Sequence, residues 1–315
     1  MTKKNQEANQ LIDVLAPYKS ISIIGMAKNV GKTTTLGYLI KEYNKLGSRL
    51  ALTSIGRDGE EIDVATQTKK PKIFVHKGTI IVTGEKLLNF CDITKEIISL
   101  NEIYTPFGRV ASVRALSSGY VQLGGPSITT QISDLFVGFD VDKIIVDGAV
   151  GRKTLANPTV TDATILCTGA SLNRNMNTVI EETRHTARML TLPKLDDSEI
   201  MSEIAALPPS DEKFIKLQND NIYVQGYISD AMLKGINKRD ICIIADDPSK
   251  IFASIDTYQK LQIRQIRLLV KSSINLAAIT INPVSAYGNH FDAGEFLARM
   301  RDAVNLSVYD VGIEI

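Results

Sequence analysis

The chain has 315 residues and a formal net charge of +1, from 36 basic and 35 acidic side chains. Its length allows one large α/β domain or two smaller ones, and the absence of a basic stripe argues against nucleic acid as a partner. The three cysteines and three histidines are scattered, which favours a reducing compartment and no zinc site. With no long apolar run and no signal-peptide pattern at the N-terminus, we expect a cytoplasmic protein without a membrane span.

The first informative stretch is GMAKNVGKTTT, residues 25–35. It follows a short apolar run typical of a strand and leads into a helical pattern, which is the context that a phosphate-binding loop requires. We interpret Gly25, Gly31, Lys32 and Thr33 as the fixed positions of that motif. The glycines let backbone N–H groups close on an anion, and the dipole of the following helix favours negative charge there. Lys32 would then reach the β- and γ-phosphates, and Thr33 would ligate magnesium.

The next elements predict the fold class. An apolar stripe in the helix after the loop stops at Gly47, and a strand is predicted at once over residues 49–55. The order strand, helix, strand implies a right-handed crossover into a parallel sheet. We therefore predict an α/β fold with a doubly wound, mostly parallel sheet of P-loop NTPase type, a β-rich insertion and a C-terminal α/β lobe.

The predicted domain organisation has three parts. Residues 1–195 form the P-loop NTPase domain, and a β-rich insertion at about 68–126 is suited to a wall or a partner surface. Within the insertion only residues 85–90 and 92–101 are predicted to be helical. Residues 196–221 are a linker, and residues 222–315 alternate strands and helices. The sequence leaves open whether this last part is a separate lobe or an extension of the first sheet.

Two acidic positions are candidates for work at the phosphates. Asp147 ends the apolar strand KIIVD, and strand ends of an open parallel sheet face the ligand crevice. We expect it to support magnesium, although an ordinary turn aspartate before Gly148 is the alternative. Asp58 follows the second predicted strand and is a candidate for ligating metal and orienting water, with Arg57 as a candidate for stabilising phosphate charge. A solvated acidic turn explains the segment around Asp58 almost as well.

The choice of nucleotide base rests on two short segments. Residues 237–240 spell Asn-Lys-Arg-Asp, a pattern that many GTPases use to read guanine, but here it precedes an apolar strand and not its end. We interpret it as a helix-to-strand turn and expect ATP. Asn282 and Pro283 follow another predicted strand and are better placed to line a base pocket. The predicted nucleotide-binding residues are Gly25, Lys28, Asn29, Val30, Gly31, Lys32, Thr33, Thr34, Asn282 and Pro283.

Several longer strings carry a family resemblance: PYKSISIIGMAKNVGKTTT, LTSIGRDGEE, VRALSSGYVQLGGPS and VDGAVGRKTLANPTVTDATILCTGASLNRN. They resemble the P-loop subunit of reactivases that serve adenosylcobalamin-dependent lysine and ornithine aminomutases. That subunit lies within the branch of P-loop NTPases that contains signal-recognition GTPases, MinD-type proteins, nickel and molybdenum cofactor chaperones and dethiobiotin synthetase.

The resemblance implies an Mg²⁺-dependent ATPase that drives release of damaged cobalamin from an aminomutase. It also implies a second ATPase subunit related to mismatch-repair MutS proteins. The sequence lacks the DxHxxG pattern of base-off cobalamin proteins, so we expect the protein to act on a cofactor-bearing enzyme and not to hold the cofactor. A small-molecule ligase or kinase related to dethiobiotin synthetase, a metal-delivering GTPase and a nucleotide-gated interaction protein are the alternatives. A homodimer is left open.

Overall fold

The structure is a computed structural model that describes residues 11–55, 72–126, 132–148, 161–208 and 212–312, with the backbone of 62–63 and 68–69. Its strands are β1 (Ser20–Gly25), β2 (Leu50–Ser54), β3 (Ile62–Asp63), β4 (Thr68–Lys69), β5 (Ile73–Val75), β6 (Ile80–Gly84), β7 (Lys95–Thr105), β8 (Gly108–Ala115), β9 (Gly119–Val121), β10 (Lys143–Asp147), β11 (Ala163–Gly169), β12 (Phe214–Lys216), β13 (Ile222–Val224), β14 (Cys242–Ala245), β15 (Arg267–Val270), β16 (Leu276–Asn282) and β17 (Val308–Asp310).

The helices are α1, of which the structure describes 11–15, α2 (Lys32–Lys45), α3 (Ile132–Leu135), α4 (Met176–Leu190), α5 (Ser198–Ala205), α6 (Asp230–Lys234), α7 (Ile255–Ile263) and α8 (Ala293–Ala303). Short 3₁₀ turns cover Glu85–Phe90, Gln218–Asp220 and Pro248–Lys250.

Nine strands form the main sheet, in the order β17-β16-β11-β1-β10-β2-β6-β8-β7. The pairings from β17 through to β6 are parallel, whereas β8 runs antiparallel to both β6 and β7. From β1 the chain continues to β2 on one side of the sheet, and from β10 it continues to β11 on the other side. The loop that follows β1 therefore lies where the direction of strand addition reverses. The predicted fold class is confirmed: this is a doubly wound, mostly parallel α/β sheet.

A hydrophobic core covers each face of this sheet. On one face the core joins α1 and α2 to the inward side chains of β1, β2, β5 and β9. On the other face it joins α3, α4 and α8 to the alternate side chains of the same central strands. The period of two along each strand therefore decides which residues face α2, and this assignment positions the site described below.

A second sheet lies within the C-terminal third, in the order β12-β13-β14-β15. Its strands β13 to β15 are parallel and β12 is antiparallel to β13. In contrast, β16 and β17 pair with the main sheet. The C-terminal third thus contributes to both sheets, while the predicted domain boundaries stay predictions.

The prediction of a helix over residues 92–101 is wrong, because these residues belong largely to strand β7. The apolar residues of this segment fit a helical period as well as a strand. The tight turn at Gly108, with a backbone φ of 87°, returns the chain antiparallel along β8 and settles the segment as a hairpin. The 3₁₀ turn at Glu85–Phe90 agrees with the predicted short helix there.

Candidate phosphate-binding site

The loop between β1 and α2 is longer than the motif requires. Five residues, 26–30, separate Gly25 from Gly31, whereas the phosphate-binding pattern has four free positions. The strand nevertheless ends at Gly25 and the helix begins at Lys32, so the glycines bound the loop on both sides. Val30 is buried within the loop and Asn29 is exposed. The loop therefore contains one more residue than the motif, and Gly25 still ends the strand while Gly31 still precedes the helix.

Gly25 lies directly against the side chain of Lys32. A Cβ atom on residue 25 would lie 2.9 Å from both Cγ and Cδ of Lys32 and 3.1 Å from a methyl group of Val30. The lysine therefore folds back across the start of its own loop.

The backbone of the loop is shaped for an anion. Asn29 and Gly31 both adopt left-handed conformations, with φ of 60° and 96°. Alternation of left- and right-handed residues turns successive N–H groups to one side, which is how a backbone nest binds phosphate. Gly31 is the N-cap of α2 and supplies no capping side chain, and the first turn of that helix holds no acidic residue. The positive end of the α2 dipole is therefore left for an anion from outside the chain.

Lys32 occupies an unfavourable position for a helix alone. It is the first residue of α2, where a cation opposes the helix dipole at a cost of about 0.3–1 kcal/mol. An anion bound between the ammonium group and the helix N-terminus reverses the sign of that interaction. The placement of Lys32 thus makes physical sense when a phosphate is bound there.

Asp147 lies beside this loop, at the end of β10. It pairs in register with Ile23 on β1 and with Ser54 on β2, and its strand alternation places its side chain on the α2 face of the sheet, as for Ile145. One of its carboxylate oxygens, Oδ1, is buried. The carboxyl end of β10 thus lies beside that of β1, and a role of Asp147 at magnesium stays a prediction.

A buried network supports the loop from below. The Thr35 hydroxyl lies 2.9 Å from that of Thr280, and Cys167 Sγ lies 3.1 Å from Thr280 Oγ1 and 3.5 Å from Thr35 Oγ1. These three side chains are essentially inaccessible to solvent. Burial raises the pKa of the Cys167 thiol, while the nearby charges of Lys32 and Asp147 shift it in opposite directions. No sequence pattern predicts this network, although Thr35 lies two residues after Thr33 of the motif and is buried.

Asn282 contacts the loop directly. A Cβ atom on Gly31 would lie 3.0 Å from Cβ of Asn282, and the Asn282 carbonyl accepts a hydrogen bond from the Ala170 amide at 2.9 Å. Its side chain accepts from the backbone N–H of Val284 at 3.0 Å, which orients the chain after Pro283. The structure thus places Asn282 beside the end of the loop, and its role in a base pocket stays a prediction.

Two other loop residues, Met26 and Lys28, have different surroundings. Met26 packs toward α4, where the Thr183 hydroxyl lies 3.3 Å from its sulfur atom, and the amide of Met26 donates to the carbonyl of Cys167 at 3.1 Å. Met26 is therefore a packing residue that ties the loop to α4. Lys28 is exposed at the loop surface. That Lys28 supplies a second positive charge to the phosphates stays a prediction.

The residues present suit magnesium. Thr33 is exposed in the first turn of α2. Asp147 ends β10, on the face of the sheet that α2 covers. A hydroxyl and a carboxylate are hard oxygen donors of the kind that Mg²⁺ prefers, with nucleotide phosphates and water completing the shell. Thr34, one residue on, is half-buried.

Two of the remaining sequence candidates, Asp58 and Arg57, are outside the described residues, and their roles stay predictions. The segment Asn237 to Asp240 connects α6 to β14 in the second sheet, so it precedes a strand of a different sheet from the loop. There Lys238 forms an ion pair with Asp220 at 3.1 Å. The interpretation of this segment as a helix-to-strand turn is confirmed.

Together the sheet order and the loop define an α/β protein with a P-loop. No family model matches the chain, and no curated protein matches it. Among solved structures, the signal recognition particle receptor FtsY from Elizabethkingia anophelis matches with 14% identity and a TM-score of 0.28, over 95% of this chain and 72% of that chain. This likeness is too loose to indicate an activity or a nucleotide. In the described part of the chain no helix is long and apolar enough to cross a membrane.

Proposed function

We propose that the protein binds and hydrolyses a nucleoside triphosphate with Mg²⁺ and uses the cycle to change the conformation of a partner enzyme. The observation that carries the proposal is the path of Lys32 across Gly25, above a loop with left-handed residues at Asn29 and Gly31. A lysine, a backbone nest and an uncapped helix N-terminus converge on one place. That combination is what the β- and γ-phosphates of a nucleotide require.

Each residue has a distinct task in this proposal. The amides of the loop and the ammonium group of Lys32 bind the phosphates and offset charge on the transferred group. Thr33 and Asp147 would hold Mg²⁺, which would supply positive charge to neutralise the phosphates. Asp58 is proposed to orient the attacking water. The network of Thr35, Thr280 and Cys167 holds the first turn of α2 in place beneath the loop.

ATP is the proposed nucleotide. The guanine-reading pattern at residues 237–240 precedes β14 of the second sheet and does not follow a strand of the main sheet, which supports ATP in this proposal. Asn282 and Pro283, beside Gly31, are proposed to line the base pocket. Parallel titrations with Mg-ATP and Mg-GTP test this choice, and tighter binding of GTP would overturn it.

The proposed partner follows from the sequence resemblance. An adenosylcobalamin-dependent aminomutase would be the enzyme that is reactivated by release of damaged cobalamin, with a second ATPase subunit related to MutS proteins. Purified aminomutase carrying inactivated cobalamin should regain activity on addition of ATP and the two subunits. Stimulation of hydrolysis by a metabolite in place of the enzyme would favour a ligase or kinase instead.

Turnover of Lys32→Ala tests the catalytic part of the proposal. The variant should fold as the wild type does, because Lys32 is partly exposed. Hydrolysis should fall by about 10²-fold or more, because the negative charge that develops on the phosphate in the transition state loses the ammonium group that stabilises it. Lys41→Ala, a substitution of an exposed lysine on the same helix, is the matched control and should leave hydrolysis unchanged. Equal turnover by Lys32→Ala and the wild type would place the reaction elsewhere.

A further inference from the structure

An exposed aromatic face lies on the small sheet of β5 and β9. Phe74 on β5 pairs in register with Tyr120 on β9, and their ring centroids are 5.3 Å apart. His76 adds a third ring, 5.4 Å from Phe74. Phe74 and Tyr120 are 43% and 45% exposed, as exposed as the pair Tyr227 and Phe252, at 48% and 42%.

Lysines surround these rings. Lys72 and Lys77 flank the aromatic residues of β5, both are exposed, and neither forms an ion pair with any residue that the structure describes. We call Lys72, Phe74, His76, Lys77 and Tyr120 the aromatic face. Exposed aromatic side chains are the anchors that dominate protein-binding hot spots, and the lysines beside them would complement the charge of an acidic partner.

The local charge strengthens this match. Lys72, Lys95 and Asp92 all act on the half-buried thiol of Cys91, where burial raises the pKa most strongly and the two lysines lower it. The carboxylate of Asp92 accepts the backbone N–H of Tyr120 and is thereby held at the strand. Lys95 thus lies close enough to Cys91 to add a third lysine beside this surface, with Asp92 as an acidic neighbour.

The other side of β5 packs on the helix that begins at the phosphate loop. Ile73 and Val75 alternate with Phe74, are buried, and belong to the same core as Leu36 and Leu39 of α2. A movement of α2 is therefore transmitted to β5 through direct side-chain packing. The aromatic face is the outer surface of the layer that covers the nucleotide-binding helix.

We infer that the aromatic face docks an acidic segment of a partner protein that carries apolar side chains. The coupling of this docking to nucleotide rests on the proposed function. A single-stranded nucleic acid fits the face less well, because base stacking needs free ring faces. The chain also carries a net charge of only +1, without the basic stripe that a nucleic-acid partner requires. Phe74 meets both neighbours edge to face, with interplanar angles of 86° to His76 and 75° to Tyr120, so the three rings hold one another in place.

The test uses the full-length protein and a short fluorescein-labelled peptide that alternates glutamate with leucine and phenylalanine. Binding is measured by fluorescence anisotropy for the wild type and for the double variants Lys72→Glu/Lys77→Glu and Phe74→Ser/Tyr120→Ser. Each should weaken binding by about tenfold. The matched control Lys260→Glu/Ile263→Ser changes an exposed lysine and an exposed apolar side chain on α7 and should bind as the wild type does.

Nucleotide binding of the same samples separates the two proposals. Absence of peptide binding in a protein that binds Mg-ATP would overturn the docking inference and leave the proposed function standing. Peptide binding without nucleotide binding would do the reverse. Preferential binding of oligothymidine, lost in the same variants, would overturn the inference in favour of nucleic acid. A peptide affinity that the aromatic and charge variants do not change would also overturn it.

Discussion

The Cγ and Cδ atoms of Lys32 lie 2.9 Å from the position that a Cβ atom would take on Gly25. A methyl group at residue 25 must therefore displace the lysine side chain. We predict that Gly25→Ala folds normally, because the flexible lysine can move, but binds nucleotide about tenfold more weakly. Gly37→Ala is the control, since a Cβ there meets no atom within 4 Å and residue 37 is in α2. Calorimetric titration of both variants checks this, and equal affinities would contradict it.

The left-handed conformation of Gly31 leads to a second prediction. Gly31→Ala should lower the free energy of unfolding by about 1–2 kcal/mol, because φ of 96° is unfavourable for a residue with a Cβ. The added methyl group also approaches Asn282 at 3.0 Å, so nucleotide binding should fall as well. Urea unfolding measures the first effect. Asn29→Gly, at the other left-handed position, should change stability by less than about 1 kcal/mol, and a larger loss there would contradict the assigned backbone.

Asp142 directly precedes strand β10 and Asp147 ends it, so the two aspartates permit a matched comparison. Asp147→Asn should reduce Mg²⁺-dependent hydrolysis by about 10²-fold, while nucleotide binding in the presence of EDTA should hardly change. Asp142→Asn, before β10 and remote from the loop, should hydrolyse nucleotide as the wild type does. Steady-state rates over a magnesium titration test the pair. Equal rates in the two variants would remove Asp147 from the metal site.

Asp142 also gives a prediction about pH. Hydrogen bonds from the Arg49 guanidinium and backbone lower the pKa of Asp142 from 3.8 to about 2 in the folded protein. Its contribution to stability is therefore fully present above pH 3.8 and is lost as the pH falls toward 2. The stability difference between wild type and Asp142→Asn should be constant near neutral pH and shrink across that acidic range. Urea midpoints measured as a function of pH test it, and a difference that grows in acid would contradict the ion pair.

The sequence predicted the elements around the loop because their signals are local. The strand before Gly25, the glycine-bounded turn and the stripe of α2 lie within one short stretch, and Asp147 could be placed because parallel strand ends share one edge. The start of α8 is equally local, since the Asp292 side chain caps it by accepting the amide of Glu295 at 2.7 Å.

Other features depend on distant pairing and could not be predicted in the same way. Strand β7 was mistaken for a helix because its partner β8 decides its conformation. The contact between Gly31 and Asn282 joins residues far apart in the chain, and the network of Thr35, Cys167 and Thr280 joins three separate elements. Only the order of strands in the sheet brings such residues together.

Isothermal titration of the full-length protein with Mg-ATP, with Lys32→Ala titrated alongside, tests the central claim most directly. We predict saturable binding at one site in the wild type and binding weaker by about tenfold or more in Lys32→Ala. The absence of binding heat and of thermal stabilisation with both Mg-ATP and Mg-GTP would contradict the claim that this loop binds a nucleotide.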